Sequence, residues 1–434
     1  MNRIQTFGGS DAGAEGAKRD PESMILTFKF KLMPSKAQHT ALDGICESQR
    51  LLYNADLEHR RCSYEFAKAR GQKPERISYA SRCRDLVAVR GDLEDWFGTM
   101  PSNLSRWTLK RADLAFAAFF KRAKAKAGKA GYPRFRSFHR WKSFGFAEFS
   151  GITFDAATSR LSFKGLPGTL RVHLHRPIPD GAKFLGATFR KEAGHWFVSI
   201  QMRATKTAFG GSAQHASEEV IGIDVGVLRT ATLSNGETVA NPKVLKRHTA
   251  EMRRRQRALA RCKRGSKRRA KVRAALVRVH KRIADTRSTY AHQETAAIAR
   301  RFAFIAVEDL RLKNMTASAR GTITEPGVNV RQKAGLNRAM LDVAPGKFVE
   351  LLVYKAERAG GRVEKVNPRG TSIECSSCGT AVPKELRVRM HACSACGLTL
   401  DRDVNAAINI LSRALAPDRA VVDPGLAKPH DIAA

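Results

Sequence analysis

The stretch VIGID, residues 220–224, predicts a short buried strand that ends on a carboxylate. A second apolar run, FIAVE at residues 304–308, has the same form and ends on Glu308. A pattern of long helices, from about residue 243 to residue 301, lies between the two strands. Strands that alternate with helices in this way indicate a mixed α/β sheet domain.

The alternation continues around these two strands. The sequence predicts further strands at 230–233 and 362–366, and further helices at about 342–359 and 404–415. A third acidic residue, Asp403, stands at the start of the last helix. The second half of the chain therefore has the element order of one α/β domain.

Three acidic residues in this half are candidate catalytic residues: Asp224, Glu308 and Asp403. A carboxylate at the end of a buried strand is costly unless something compensates it, and a divalent metal is the usual partner of several converging carboxylates. Two Mg²⁺ ions in such a site can stabilise the attacking and the leaving oxygen of a phosphodiester. Each residue alone is also typical of a turn or a helix cap. Their joint occurrence, in the strand order of an RNase H-like sheet and in a strongly basic chain, favours a magnesium site.

Four cysteines form two CxxC pairs, Cys375 with Cys378 and Cys393 with Cys396. Two residues between paired thiolates let both sulfurs face one tetrahedral Zn²⁺, and a glycine follows each pair. The sequence therefore predicts one structural zinc ion, because sulfur fills all four ligand positions. A redox function for the CxxC motifs is the alternative. The basic insert shows no strand pattern, and we expect His391 within it to lie at the surface.

The chain of 434 residues has 78 Lys and Arg against 40 Asp and Glu, a formal net charge of +38. Such a charge indicates a nucleic-acid partner, although a ribosomal or supercharged protein would show it too. Residues 251–282 hold fifteen Lys or Arg and a single acidic residue. We expect this helix pair to bind an anionic ligand rather than only to be solvated. The candidate nucleic-acid-binding residues here are Arg253, Arg254, Arg255, Lys263, Arg264, Lys267, Arg268, Arg269 and Lys271.

The first half of the chain combines strands with helices. Alternation of apolar and polar residues predicts four strands, at 25–32, 170–174, 184–190 and 196–202. Helical spacing predicts three helices after the first strand, at about 36–70, 79–96 and 103–126. We therefore predict a small β-barrel wrapped around a helical insertion.

Aromatic and basic residues interleave in GYPRFRSFHRWKSFGF, residues 131–146, where we expect the chain to become β-structured. Aromatic rings offer stacking faces to bases, and Arg134 and Arg136 could contact phosphate, so the pattern suits single-stranded nucleic acid. Alternating aromatics are equally expected on the core face of a strand. The sequence leaves both interpretations open.

No apolar run approaches the length of a membrane span, and no signal peptide opens the chain. The uneven distribution of the cysteines indicates a reducing compartment, so we expect a cytoplasmic protein. Residues 1–23 and 416–434 have the composition of disordered tails.

Segments from both halves resemble the TnpB family of insertion-sequence-encoded, RNA-guided nucleases and its relatives, the small type V CRISPR effectors. The second half carries the most specific of these: IGIDVGVLRTATLSNG (221–236), KRGSKRRAK (263–271), IAVEDLRLKNM (305–315), VNPRGTSIECSSCG (366–379) and CSACGLTLDRDVNAAINI (393–410). In the first half, FKFKLMPSKAQ, RLLYNADL, AFAAFFKR and GYPRFRSF are similar to the family's opening segments.

The resemblance implies an α/β and α+β multidomain protein. An RNase H-like RuvC nuclease domain would carry an inserted zinc ribbon and follow a wedge-like β-barrel with a helical recognition insertion. The implied boundaries are a leader at 1–23, the barrel at 24–36 and 131–210, the recognition segment at 37–130, the nuclease at 211–374 and 398–415, the ribbon at 375–397 and a tail at 416–434.

The resemblance also implies the site. The family's metal-binding triad maps onto Asp224, Glu308 and Asp403, which would hold two Mg²⁺ ions, while the cysteines would hold one Zn²⁺. A transposon-derived guide RNA would direct double-strand cleavage of DNA beside a short flanking motif, and Tyr79 resembles the residue that contacts this motif. Ile373 and Leu400 depart from the family pattern, which often has Gln and His there.

Three functions remain to be compared. The first is an RNA-guided, Mg²⁺-dependent DNA endonuclease, either a stand-alone transposon protein or a compact CRISPR effector, and we expect it to be a monomer. The second is a non-cleaving RNA-guided repressor, which the intact triad disfavours. The third is a transposase, which the lack of a Tyr or His-U-His nucleophile constellation and the zinc insert before the last acid disfavour.

Overall fold

The computed structural model describes residues 23–92, 100–125, 130–212, 214–322, 324–385 and 387–416. The chain separates into two compact units, which divide between Phe209 and Gly210. The predicted leader, apart from Ser23, and the predicted tail, apart from Ala416, lie outside the described residues. Ser23 itself is the first residue of a strand rather than part of the leader.

The first unit contains a seven-stranded antiparallel sheet with strand order β2-β6-β7-β1-β5-β4-β3. Its strands are β1 (Ser23–Met33), β2 (Ser143–Phe146), β3 (Ile152–Asp155), β4 (Arg160–Phe163), β5 (Leu170–His173), β6 (Lys183–Glu192) and β7 (His195–Thr205). Because β2 and β3 are the two edges of the sheet, these strands form a half-barrel rather than a closed one. Along β1, the buried residues Phe28, Phe30 and Leu32 alternate with exposed lysines, as the sequence pattern predicted.

Three helices of this unit are α1 (Lys36–Ala69), α2 (Tyr79–Asp92) and α3 (Ser102–Lys124). Ser35 begins α1 through a capping box: its hydroxyl accepts a hydrogen bond from the Gln38 amide, and the Gln38 side chain accepts one from the Ser35 amide. Asp56 of α1 is fully buried and forms ion pairs with Arg60 (3.0 Å) and with Arg82 of α2 (2.7 Å). This charge cluster ties α2 to α1. Residues 93–96 of the helix predicted at 79–96 lie outside the described residues.

The second unit is built on a five-stranded mixed sheet of order β10-β9-β8-β11-β12. Its strands are β8 (Val220–Asp224), β9 (Arg229–Leu233), β10 (Thr238–Ala240), β11 (Phe304–Glu308) and β12 (Arg362–Val366). Strands β8, β11 and β12 are parallel, whereas β9 and β10 are antiparallel. The four longer strands match the sequence prediction, and β10 was missed.

Helices cover both faces of this sheet. They are α4 (Val244–Ala260), α5 (Lys267–Arg301), α6 (Leu312–Met315), α7 (Val330–Val343), α8 (Pro345–Arg358) and α9 (Arg402–Leu415). In β11, Ile305 and Val307 lie in the core formed with α5 and α8, while Phe304 and Ala306 lie in the core formed with Ile410 of α9. The apolar run FIAVE therefore reflects burial on both faces.

Two predictions for this unit were wrong in detail. The helix predicted at about 342–359 starts only at Pro345, because Ala344 takes a left-handed conformation (φ 55°) between α7 and α8. The cysteine insert, in which no strand was predicted, contains β13 (Met390–Ala392), which pairs antiparallel with β14 (Thr399–Asp401) just after the insert. In the described part of the chain, no helix has the length and apolar character to cross a membrane.

Candidate functional site

Asp224 and Glu308 end adjacent parallel strands. In the register of this pair, Ile223 of β8 lies beside Val307 of β11, so the two carboxylate residues that follow leave the sheet at the same edge. Asp403 lies in the first turn of α9, which packs on β8 and β11. The fold therefore brings all three predicted acidic residues to one region of the second unit.

Gly222 allows α9 to come this close to the sheet. A Cβ atom at this position would lie 2.1 Å from the Ala407 carbonyl oxygen and 2.8 Å from the Leu411 Cβ, both in α9. No side chain larger than hydrogen fits at that distance without moving the helix. The glycine of VIGID thus serves helix packing, and through the helix it sets the position of Asp403.

Asp224 lies within electrostatic reach of the other two carboxylates. Burial, followed by the negative charges of Glu308 and Asp403, raises the pKa of Asp224 to about 7. Burial also raises the pKa of Glu308. Positive charge from Arg402 and Arg389 acts on Asp224 in the opposite direction but does not offset these effects. The cluster therefore favours a proton or a cation.

Neighbouring side chains fix the orientation of two of these carboxylates. The Thr371 hydroxyl donates a hydrogen bond to Glu308 Oε1 (2.5 Å). Asp401 is the N-cap of α9 and accepts a hydrogen bond from the Asp403 amide (2.8 Å). Arg389, from the cysteine insert, lies 3.4 Å from Asp403 Oδ1. Sequence reasoning assigned no role to Thr371, Asp401 or Arg389, although an acidic residue just before a helix is a recognisable capping signal.

Asp401 is itself held by Arg229 of β9, at an Nη1–Oδ2 distance of 2.9 Å. Partial burial acts to raise the pKa of Asp401, but the amide of Asp403 and the guanidinium of Arg229 outweigh it and hold that pKa below its usual range. Asp401 therefore remains ionised as a cap, and the N-terminus of α9 is anchored to the sheet.

The four predicted cysteines lie together. Their sulfurs are all within 4.8 Å of one another, and the Cys375–Cys396 and Cys378–Cys393 sulfurs are each 3.6 Å apart. Tetrahedral zinc with Zn–S bonds of about 2.3 Å requires sulfurs about 3.8 Å apart, so the residues fit a zinc ion. All four cysteines are free thiols.

The two CxxC turns have the same backbone geometry. The Gly379 amide donates to the Cys375 carbonyl and the Gly397 amide to the Cys393 carbonyl, both at 2.9 Å. Both glycines are left-handed, with φ of 75° and 78°, which explains why glycine follows each pair. Hydrogen bonds from Thr380 lower the pKa of Cys378 to about 6, which favours the thiolate that binds metal.

The carboxylates are arranged less tightly than the sulfurs. Among the described residues, the cysteine quartet is the single group of three or more His, Cys, Asp or Glu side chains gathered closely enough to hold one ion. The charges of Glu308 and Asp403 act on Asp224, but the three side chains do not gather as closely as the four sulfurs. The donor set itself, oxygen atoms of three carboxylates, is the kind that Mg²⁺ prefers.

His391 was expected at the surface, and that expectation is wrong. The residue lies in β13 and is fully buried, with its Nδ1 in contact with Lys384 Nζ. Burial, followed by the charge of Lys384, lowers its pKa. The β13–β14 hairpin, which the sequence pattern did not reveal, places this side chain inside the insert.

The basic segment 251–282 spans α4, a short turn and α5. Of its candidate residues, seven are exposed: Arg253, Arg254, Lys263, Arg264, Lys267, Arg268 and Lys271. The other two are engaged within the protein. Arg255 lies 3.9 Å from Glu251, and the Arg269 guanidinium donates to the carbonyl oxygens of Leu259 and Cys262 at the end of α4. The exposed set forms a positively charged surface on this helix pair.

The aromatic segment 131–146 divides into two parts, and only its last four residues form a strand. Trp141, Phe144 and Phe146 are core residues, whereas Tyr132, Phe135 and Phe138 are 42–55% exposed. The β-structure expected from residue 131 is therefore wrong for the first part, which is irregular. The core interpretation is confirmed for Trp141, Phe144 and Phe146, whereas nucleic-acid binding by the exposed first part stays a prediction.

This irregular part is pinned to α1. The amide and carbonyl of Arg136 are both hydrogen-bonded to the Asn54 side chain (2.8 and 3.0 Å), and Arg50 also donates to that carbonyl (2.9 Å). The side chains of Arg134 and Arg136 are exposed. A cavity of about 350 Å³ lies beside this segment and is lined by Tyr132, Phe135, Leu57, Arg61 and their neighbours. The backbone at Arg136 is thus fixed against α1, while the side chains around it remain exposed.

Tyr79, the predicted flanking-motif residue, is the first residue of α2 and is half-buried. The ammonium group of Lys110 lies 5.0 Å from the centre of its ring. Burial, followed by a hydrogen bond with Cys83, raises its pKa to about 12. Tyr79 belongs to the first unit, whereas the carboxylates belong to the second.

Comparison with known proteins identifies two segments of the chain. Residues 198–319 match a family described as OrfB_IS605, probable transposase, and residues 346–410 match the TNB domain of Cas12f1-like proteins. The second match includes the four cysteines, Asp403 and most of α9.

The fold of the chain is shared with a solved Cas12f1 structure. In a cryo-EM complex of Cas12f1 with sgRNA and target DNA, the protein superposes with a TM-score of 0.51 at 13% sequence identity, over 87% of this chain and 83% of that one. The chain therefore has the mixed α/β fold of this Cas12f1 protein, together with a segment that matches the TNB domain of Cas12f1-like proteins.

Sequence similarity gives the family. The chain is 32% identical over 390 residues to InsQ of Escherichia coli (strain K12), a candidate RNA-guided DNA endonuclease by name, over 89% of this chain and 92% of InsQ. A protein of Streptomyces pristinaespiralis with the same designation is 32% identical over 393 residues, covering 90% of this chain and 89% of the relative. The chain belongs to the TnpB family.

Proposed function

We propose that this protein is an RNA-guided, Mg²⁺-dependent DNA endonuclease of an insertion sequence, in which Asp224, Glu308 and Asp403 form the active site of a RuvC-like nuclease domain. The observation that carries the proposal is the convergence of three half-buried carboxylates on one region of the second unit, where burial, followed by the charges of Glu308 and Asp403, raises the pKa of Asp224 to about 7. The names of the relatives, candidate RNA-guided DNA endonucleases, support the same conclusion.

Different residues would bind the metal ions and orient the ligands. Asp224 and Glu308, from neighbouring strand ends, and Asp403, from the start of α9, would hold two Mg²⁺ ions. When bound, these ions supply the charge that stabilises the attacking and leaving oxygens of a phosphodiester. Thr371 and Asp401 hold the orientation of the acidic residues, and Arg389 beside Asp403 adds positive charge where a phosphate would enter.

The cysteine insert would be a zinc ribbon that holds one structural Zn²⁺, since four sulfurs complete a tetrahedral shell. The exposed basic residues of α4 and α5 would contact the phosphate backbone of a guide RNA or its duplex with DNA. In the first unit, Arg134, Arg136 and the exposed rings beside them suit unpaired nucleotides. Tyr79 is proposed to contact a short motif that flanks the target.

The test replaces Asp224 with Ala in the full chain, assembled with the small RNA that co-purifies with it. We expect guide-RNA and target-DNA binding to survive and cleavage to disappear. A variant that cuts DNA at the wild-type rate would show that the triad assignment is wrong. Sequencing the co-purified RNA separates a transposon-end guide from a CRISPR-derived one, and the absence of any RNA would count against both.

A non-cleaving function has one observation in its favour. Over 123 residues the chain is 32% identical to Cas12m of Allomeiothermus silvanus, which is named a CRISPR-associated DNA-binding protein. This match covers 27% of the chain, and all three carboxylates are present here. If the wild-type complex binds its target tightly but leaves it intact in Mg²⁺, the repressor function is correct.

A further inference from the structure

Thr371 is a buried hydroxyl residue beside the proposed active site. It lies in the loop between β12 and the first CxxC pair, and its side chain is 2% exposed. Its Oγ1 is 2.5 Å from Glu308 Oε1 and 3.1 Å from the Pro368 carbonyl oxygen. A hydroxyl has one proton to donate, and an ionised carboxylate at the shorter distance is the stronger acceptor. One oxygen of Glu308 is therefore bound by the protein, which leaves Oε2 for a cation.

Thr371 is in turn held by α9. Asn409 donates from its side-chain amide to the Thr371 carbonyl and to the Glu374 carbonyl, both at 2.8 Å. Asn405, one turn earlier, donates to the same Glu374 carbonyl (2.7 Å) and accepts from the Ser376 amide (2.9 Å). Both asparagines are buried, so these bonds are shielded from water.

These contacts form a continuous connection between two acidic residues that belong to different elements. It runs from Glu308 at the end of β11 through Thr371 to Asn409, and then along α9 to Asp403 in its first turn. Two of its links are hydrogen bonds, from Thr371 to Glu308 and from Asn409 to Thr371. The last link is the backbone of α9. The loop that carries Thr371 thus relates the position of the second carboxylate to that of the third.

We propose that Thr371 is a positioning residue of the nuclease: its hydroxyl holds Glu308 in the orientation that binds the catalytic cation, and Asn409 fixes Thr371 relative to Asp403. This inference rests on the proposed function, because it assigns Glu308 to the metal site. Thr371 itself touches neither the ions nor the substrate.

Two substitutions separate hydrogen bonding from packing. Thr371→Val keeps the volume and removes the donor, whereas Thr371→Ser keeps the donor and removes a methyl group. We expect Thr371→Val to lower the cleavage rate by about 10- to 100-fold, the usual effect of losing a partner that orients a metal ligand. Thr371→Ser should stay within about threefold of wild type, because the orienting bond remains.

A second readout does not depend on cleavage. Mn²⁺ binding is measured by EPR on the full chain. The chain is kept free of RNA by high salt, because RNA itself binds Mn²⁺. We expect Thr371→Val to weaken Mn²⁺ binding by about tenfold, with Thr371→Ser close to wild type. Zinc content is measured for every variant, and it should remain about one ion per chain. The matched control is Thr230→Val, another buried threonine, whose hydroxyl donates to the Ala240 carbonyl rather than to a carboxylate.

The outcomes are distinct. If Thr371→Val binds Mn²⁺ and cuts DNA like wild type, or if Thr371→Ser is as defective as the valine variant, the positioning function is wrong. Loss of zinc in Thr371→Val would show that Thr371 maintains the ribbon instead, and would also overturn the proposal. A wild-type chain that binds Mn²⁺ but cuts no DNA would refute the proposed function alone, since the Mn²⁺ comparison still decides on Thr371.

Discussion

The cysteine quartet and the carboxylate trio are two polar clusters of the same unit, assembled in opposite ways. The four cysteines lie within residues 375–396, and two identical turns bring their sulfurs within 4.8 Å of one another. The acidic residues are spread from Asp224 to Asp403, and a sheet edge, a glycine contact and a helix cap bring them together. The locally built cluster is compact enough to hold one ion, whereas the cluster that the fold assembles is more widely spaced.

The largest effect is expected from removing one sulfur of the cysteine quartet. Cys393→Ser should abolish zinc binding, measured as the loss of about one Zn²⁺ per chain by native mass spectrometry. Apparent binding free energies of structural zinc are about 10–16 kcal/mol, so the ribbon should unfold locally and cleavage should fail with it. The matched control is Cys262→Ser, a thiol on the basic helix pair outside the quartet. Full zinc occupancy in the Cys393 variant would contradict the structural-site assignment.

The carboxylate trio should make the free energy of unfolding depend on pH. The folded pKa of Asp224, about 7, lies above the ordinary value of 3.8, so the folded state binds the proton more tightly. The wild-type chain without Mg²⁺ should therefore lose stability relative to Asp224→Asn as the pH rises from about 4 to about 7, by at most about 4 kcal/mol. Urea unfolding of both proteins measures the difference.

Added Mg²⁺ should reverse that loss, because a bound cation stabilises the ionised carboxylates. Parallel pH profiles of wild type and Asp224→Asn, unchanged by Mg²⁺, would mean that the carboxylates do not form one electrostatic cluster.

An intermediate effect is expected from moving the helix that carries Asp403. Gly222→Ala places a Cβ atom 2.1 Å from the Ala407 carbonyl oxygen, so α9 must shift, at a cost of about 1–3 kcal/mol. Cleavage should fall more than this loss of stability explains, because Asp403 moves with the helix. Gly335→Ala in α7 is the control, since nothing lies within 4 Å of its added Cβ, and it should stabilise the chain by about 0.5–1 kcal/mol. Normal cleavage by Gly222→Ala would refute the packing argument.

The smallest effect is expected from the basic helix pair, which belongs to neither cluster. Arg254→Ala should weaken guide-RNA binding and reduce the slope of log affinity against log salt by about 0.7 to 0.9, the value for one phosphate contact. Arg301→Ala is the control, because the Arg301 guanidinium is occupied by both carboxylate oxygens of Glu237 (2.7 and 2.8 Å). Equal slopes for Arg254→Ala and wild type would remove Arg254 from the proposed RNA surface.

Sequence patterns predicted the four longer strands of the second unit's main sheet and the grouping of the cysteines, because both follow from short-range chemistry. The apolar run FIAVE can be nothing but a buried element, and CxxC spacing dictates where two sulfurs point. Patterns gave neither the break at Ala344 nor the β13–β14 hairpin. The break depends on the left-handed conformation of Ala344. The hairpin depends on cross-strand pairing, for which a short polar segment has no recognisable pattern.

The surroundings of the carboxylates were the hardest part to predict. Thr371 and Arg389 act on acidic residues through contacts that the tertiary fold creates, and neither stands out in the linear sequence. Asp401 carries a local capping signal, but its contact with Arg229 also depends on the fold. Burial of His391 was missed for the same reason. In the aromatic segment 131–146 a clear pattern was present but ambiguous, because the same alternation covers both core residues and exposed ones.

The central claim is that Asp224, Glu308 and Asp403 together bind divalent cations. Its most direct test is anomalous diffraction from crystals of the full chain soaked in Mn²⁺, with data collected at the manganese and zinc edges. We expect a zinc peak among the four sulfurs and two manganese peaks about 4 Å apart among the three carboxylates. A zinc peak at the cysteines with no manganese at the carboxylates would contradict it.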